Sequence, residues 1–290
     1  MSLSTTQIPA TAEGQLAPPS APRRSVSKKQ AVTARGRRAR RRFWQIVPVF
    51  TFIAIILIWG LIVWAFNIPQ YLLPGPISVF NELVTSWGLI WDNTLTTLLE
   101  IGLGFVIAIV IAIPLGLVIA LSMPARQILY PPVVVLQLVP KIAIAPLFII
   151  WLGLGIDSKV LLTVLMSFFP LLISSISGFQ ILDTRLLYLT RSMGASQWET
   201  FRYLRFPAAL PVIFAGLKTS ATIAVTAALV AEFVGSTHGL GYLLLQATNT
   251  LNVPQVFAVL VVLTVIGIVL NYIVEIAEWL LTPWQRVKYN

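Results

Sequence analysis

Six stretches of the chain stay apolar for about the ~20 residues that a helix needs to cross a bilayer. They run over 46–66, 101–121, 128–152, 160–182, 208–231 and 255–274. Four carry no charge, 128–152 holds only Lys141, and 208–231 holds only Lys218. The pattern predicts an all-α membrane protein with six transmembrane helices. Pro114, Pro140, Pro146 and Pro170 fall inside these stretches. In a helical bundle, neighbouring helices can satisfy the carbonyls that proline frees. No repeat of 20–50 residues is visible, and the two halves show no inverted pairing of broken helices.

The segments between the spans are short, with three exceptions. Segments 67–92 and 235–254 are rich in turn residues, and Pro76 to Trp91 reads as a short interfacial helix with Trp87 and Trp91 at headgroup level. The third, 183–207, is the long polar insertion. Asp183 is placed to cap a first short helix, and Gly194 to end it in a left-handed conformation. Ser196 and Glu199 fit a capping box that starts a second short helix, reaching about Phe206. Pro207 then opens the next span, where a missing N–H costs little. Helix, glycine turn and helix would present Trp198, Phe201 and four arginines, the composition of a docking element.

Composition agrees with a membrane protein: 57% of the 290 residues are hydrophobic, 10% are charged, and the mean hydropathy is +0.87. Soluble domains are about 25% charged. The absence of cysteine removes disulfides, thiol catalysis, cysteine-held metal centres and a lipidated cysteine. The net charge of +10 is local. Residues 1–42 hold ten Lys or Arg and a single acid, Glu13, in a Ser/Thr/Pro/Ala/Gln-rich context that reads as a disordered basic cytoplasmic tail ahead of a membrane domain over 43–290. Two readings of that arm stand, a nucleic-acid contact and a topogenic signal next to a first span. The second is favoured, so no nucleic-acid partner is expected. Arg40-Arg41-Arg42-Phe43 imitates a twin-arginine export signal, but the apolar run that follows is too long and no small-residue cleavage site ends it.

With the arm in the cytoplasm, 17 of the 20 basic residues fall on the inside and both termini are cytoplasmic. The opposite orientation inverts that ratio. The polar insertion 183–207 is then cytoplasmic.

That insertion resembles the EAA loop of ABC importer permeases, whose pattern is E-A-A, three residues, G, nine residues, then I-x-L-P. Gly194 takes the glycine position, and Leu204-Arg205-Phe206-Pro207 follows nine residues later. Tyr188-Leu189-Thr190 stand where the family has E-A-A, so the family's acid is missing. Leu73-Pro74-Gly75-Pro76, Gly104-Phe105, Pro114-Leu115-Gly116, Pro140-Lys141-Ile142-Ala143, Pro146-Leu147, Gly194-Ala195-Ser196 and Pro207-Ala208-Ala209-Leu210-Pro211 together are similar to the nitrate/sulfonate/taurine permease group. The resemblance implies a transmembrane permease subunit of an ATP-driven ABC importer in a bacterial inner membrane, not itself an enzyme. It implies a homodimer of permeases, two ATP-binding cassette subunits carrying ATP and Mg, and an extracytoplasmic solute-binding protein. The coupling surface would comprise Tyr188, Arg191, Gly194, Ala195, Ser196, Trp198, Glu199, Arg202 and Pro207. No cofactor or metal is expected in this chain. Gly216-Leu217-Lys218-Thr219 lacks the Gly-Lys pair of a phosphate-binding loop. The solute would be small and anionic or polar, nitrate-, sulfonate- or taurine-like, or else aromatic, pyrimidine- or riboflavin-like.

Charges within spans are functional by default. Lys141, with Gln137 one turn before it, and Glu232 near the outer end of its span are candidates for the translocation path. Two readings of Lys141 stand: contact with the solute, or a structural pair with Glu232 or Glu100. Lys218 reads as structural. Glu100, Glu275 and Glu278 read as interfacial, and His238 as solvated. Ser167, Ser174, Ser175 and Ser177 either line a path or pack helices. The alternative function is an ion-coupled secondary carrier, which would require paired carboxylates deep in several spans. An intramembrane enzyme would want a buried His or Asp, and no span has either.

Overall fold

The computed structural model describes residues 50–284 together with Val47, and they are almost entirely helical. The described residues divide between Leu57 and Ile58 into two units. The basic arm and the last six residues lie outside the described part, and with them the expectation of a disordered cytoplasmic tail.

α1 (Phe50–Ala65) is apolar but short. α2 (Pro76–Thr85) starts with proline at its first turn, where no intrahelical N–H is lost. α3 (Trp87–Leu121), α6 (Ile156–Phe179) and α11 (Val253–Leu281) are long and apolar, and so is the stretch Gln197–Gly235 that ends in α9 (Phe206–Gly235). These four are long enough to cross a membrane. α4 (Met123–Leu138) and α5 (Lys141–Leu152) would add a fifth crossing as a pair bent by 94°. α7 (Thr184–Ser192), α8 (Gln197–Thr200) and α10 (Leu240–Asn249) are short.

The expected straight span over 128–152 is therefore broken. Val139, the residue before Pro140, is extended (φ −64°, ψ 131°), the conformation that a following proline ring imposes. Pro114 and Pro170, by contrast, sit inside unbroken helices. α3 starts at Trp87 rather than at 101, so Trp87 and Trp91, stacked at 5.8 Å, belong to its first turns and not to a separate interfacial helix. The reason is that polar positions near its start are turned inward, as described below.

α6 packs against both α3 and α9, and this three-helix contact forms most of the core. The approach is close. A Cβ added at Gly116 would lie 2.6 Å from Cβ of Ser175, and one at Gly104 would lie 2.5 Å from Cγ2 of Thr163. Of the two readings of the serines, helix packing is what Ser174 and Ser175 show, since they sit under Gly216 and Gly116. Leu99, Leu103, Val110, Val261, Val265 and Ile268 remain exposed on α3 and α11, a surface suited to lipid or to a partner helix rather than to water.

Candidate functional site

Two polar regions lie at opposite ends of α3 and α9. At the end where α9 begins, α7 and α8 form a stiff helical pair. Asp183 caps α7, its Oδ1 accepting from the Arg185 N–H at 2.9 Å. Gly194, at φ +80°, closes α7: its N–H donates to the Arg191 carbonyl and the Ala195 N–H to the Thr190 carbonyl, both at 3.0 Å. These are the two bonds of a Schellman motif. The capping box is complete, with Glu199 N–H to Ser196 Oγ at 3.2 Å and Ser196 N–H to Glu199 Oε2 at 2.8 Å. The Ser196 bonds hold the exposed Glu199 carboxyl below its ordinary pKa.

The second helix of the pair does not end near Phe206. α8 passes through a π turn, Phe201–Arg205, directly into α9. Pro207 has no N–H to offer and its ring crowds the carbonyl one turn back, so the helix widens just before it. α8, the π turn and α9 are thus one continuous rod. Trp198 stacks on Phe201 at 5.7 Å yet remains 65% exposed, and Tyr188 is 69% exposed. Arg191 and Arg202 are exposed, Ala195 is half-buried, and Pro207 lies in the first turn of α9. The structure gathers Tyr188, Arg191, Gly194, Ala195, Ser196, Trp198, Glu199, Arg202 and Pro207 into this one region.

Of the three path candidates, Gln137 and Lys141 meet, and no hydrogen bond or ion pair joins either to Glu232. Lys141 Nζ donates to the Gln137 carbonyl at 2.7 Å and lies 4.8 Å from the centre of the Phe169 ring. It pairs with neither Glu232 nor Glu100. Its charge sits at the C-terminal end of α4, where carbonyls are left without partners by the break. Lys218 forms an ion pair with Glu278 at 2.6 Å, the structural role expected of it.

Glu232 belongs to the second polar region, at the far end of α9. Its carboxylate accepts from Thr97 Oγ1 at 2.7 Å and from the Gly241 N–H. Thr97 Oγ1 accepts the Leu240 N–H at 2.8 Å, and Asn93 Oδ1 accepts the Gly239 N–H at 2.8 Å. Three successive amides at the start of α10 are thereby capped by side chains of α3 and α9. Glu100 is buried near Glu232, not interfacial, and its Oε2 has no hydrogen-bond partner. Lys159 is also buried. It donates to the carbonyls of Leu154 and, at 3.0 Å, Gly155, and supplies the nearby positive charge. Glu100 is buried on α3, and Lys159 is turned back onto the α5–α6 link.

A family model described as the binding-protein-dependent transport system inner membrane component matches residues 112–287. The chain belongs to that family. It is 34% identical to the riboflavin transport system permease protein RibX of Chloroflexus aurantiacus, an alignment covering 82% of this chain and 90% of that protein. It is 32% identical to the formylaminopyrimidine transport permease protein ThiX of Halalkalibacterium halodurans, over 85% of this chain and 99% of that one. Among solved structures, the inward-facing MetNI methionine ABC transporter shares the fold, with a TM-score of 0.59 at 18% identity over 68% of this chain and 98% of that one.

The matched segment contains the helical pair, Lys141, Lys159 and Glu232, whereas Asn93, Thr97 and Glu100 precede it. Sequence reasoning missed these three as a group. The signal was present: positions 93, 97 and 100 repeat at i, i+4 and i+7, one face of a helix. It is lost when the helix is assumed to begin at 101. The buried pair of carboxyls is also what a secondary carrier would require, but both Glu232 oxygens are occupied, one by Thr97 and one by an α10 amide, and the family decides for the transport system.

Proposed function

We propose that this chain is the permease subunit of an ATP-driven importer that crosses the membrane six times, α1 and the bent α4–α5 pair each counting once. Both termini and the α7–α8 pair face the cytoplasm, as the basic residues argue. Two copies line the pathway, two separate ATPase subunits bear ATP and Mg, and a binding protein delivers the solute at the opposite face. The observation that carries this reading is the doubly capped helical pair running without a break into α9. A push on Trp198 or Tyr188 is transmitted as a rigid movement of a rod about thirty-nine residues long, Gln197–Gly235. ATP-driven closure of the partner subunits would rock α9, and with it the Glu232–α10 contact at the far end.

The solute is proposed to be a small polar heterocycle, the class named for the ThiX and RibX relatives. Lys141 is proposed as its contact. The ammonium is half-exposed and has three hydrogens, of which the Gln137 carbonyl takes one. Glu232 acts at the closed end of the path through α10 rather than by touching solute.

Co-purification tests the reading. Tagged full-length protein expressed with its operon should recover an ATPase, and Gly194→Val or Trp198→Ala should reduce both recovery and solute-stimulated ATP hydrolysis. Recovery of no ATPase by the wild-type chain would sink it. Lys141→Ala should lower uptake while leaving the folded yield unchanged.

A further inference from the structure

The helical pair carries an imbalance of charge that its own residues do not neutralise. Its two acids are already engaged, Asp183 on the Arg185 amide and Glu199 on the Ser196 amide. Its four arginines, 185, 191, 202 and 205, have no ion-pair partner among the described residues. Two of them converge. Arg191 from α7 and Arg205 from the π turn line one cavity of about 280 Å³, with Gln197 and Thr200 on its polar side and Leu187 and Phe201 on its apolar side.

Two guanidiniums sharing a cavity repel unless an anion lies between them. The planar fork of arginine matches a carboxylate or a phosphate with two parallel bonds. Small-molecule sites usually run from about 300 to 1,000 Å³, so this cavity lies below that range and suits a single side chain. Its walls are stiff, since the Schellman bonds and the capping box hold α7 and α8 at a set angle. The same helical pair exposes Trp198, Tyr188 and Met193, residue types enriched where proteins bind proteins. The family's acid is replaced by Tyr188, so no carboxylate from the EAA position competes for the arginines.

We infer that the Arg191–Arg205 cavity receives an Asp or Glu side chain of the ATPase subunit, so that docking in this permease is polarised with the positive side on the membrane chain. This rests on the importer reading and assigns the chemistry of its coupling contact. Docking by this route weakens as salt rises, because the contact forms at the water-facing surface.

The test measures affinity between the co-purified ATPase and the full-length permease in nanodiscs, prepared once with phosphatidylcholine alone and once with added phosphatidylglycerol. Arg205→Glu should weaken binding by roughly thirtyfold or more, the scale seen when one partner of a hydrogen-bonded interfacial charge pair is lost. Arg205→Gln and Arg191→Gln should each weaken it less and flatten the salt dependence. Arg126→Ala, basic and exposed but outside the cavity, should leave it unchanged. An Asp→Arg or Glu→Arg change in the ATPase groove should restore binding to Arg205→Glu. Unaltered thermal unfolding of Arg205→Gln confirms that the fold survives. Equal affinity for wild type and all arginine variants overturns the inference while leaving the importer reading intact. So does an effect of the arginines that appears only with phosphatidylglycerol, which would assign the cavity to a lipid phosphate. Failure of the wild type to bind any ATPase would instead overturn the function itself.

Discussion

The two ends of α3 and α9 treat charge in opposite ways. At the α10 end, Asn93, Thr97 and Glu232 are buried and bonded to the amides of residues 239–241, and Lys159 is bonded to the carbonyls of the α5–α6 link. At the α7–α8 end, the acids serve only backbone amides and the arginines are left over. The first arrangement is largely closed: the polar groups of Asn93, Thr97, Glu232 and Lys159 are answered inside the protein, and Glu100 Oε2 is left without a partner. The second is open and answers to something outside it. Buried helix ends have no water to satisfy them, so an interrupted helix must bring its own caps. Lys141 at the end of α4, Lys159 beyond α5 and Glu232 at the start of α10 each do this. At the exposed α7–α8 end, caps are needed only for rigidity, and surplus charge is free for recognition.

The closed end should break hardest. Glu232→Ala removes the acceptor of the Gly241 amide and leaves Lys159 in the core with less negative charge near it. The Gly241 amide and the Thr97 hydroxyl both lose their acceptor, at about 1–3 kcal/mol for each, read as a lower unfolding temperature in detergent and a lower yield of folded protein. Thr97→Val keeps the shape and removes one hydroxyl that joins Glu232 to the Leu240 amide. It should cost about 1–3 kcal/mol in the same assay, since a buried amide loses its acceptor. Equal stability of both variants and the wild type would show that the knot is not what holds α10.

The open end should break function more than fold. Gly194→Ala forces a side chain into a left-handed turn with open space around it, so the cost is strain alone, about 1–2 kcal/mol and local. Global unfolding should shift little while ATPase association falls. The smallest effect is that of acid. Glu199 has its pKa lowered by the Ser196 bonds, so its contribution is present above the ordinary value of 4.5 and is lost as pH falls through the lower folded value. Amide exchange at Ser196 should rise only below that ordinary value and should not change between neutral pH and pH 6. A change in that upper window would mean that another group controls the cap.

Much of the open end was legible from the chain itself. Asp183, Gly194, Ser196 and Glu199 act on neighbours within five residues, and such short-range capping chemistry is written in order along the sequence. What was not legible there was the π turn, because Phe201–Arg205 has no composition that marks it and only the meeting of a helix with Pro207 creates it. The closed end was nearly illegible. Thr97 and Glu232 are 135 positions apart, and Asn93 and Gly239 are 146 apart. Glu100 looked interfacial because it lies at the edge of an apolar run, and only packing against α6 and α9 shows that it faces inward.

Sequence alone determined that this is an all-α membrane chain of the transport-permease kind, since runs of apolar residues, cap residues and the spacing around Gly194 are local quantities that need no partner to be read. Tertiary structure alone decided which charges are spent and which are free. A charge is spent when it meets a helix end contributed by a distant part of the chain, and such a meeting is set by the packing of α3, α6 and α9, not by any neighbouring residue.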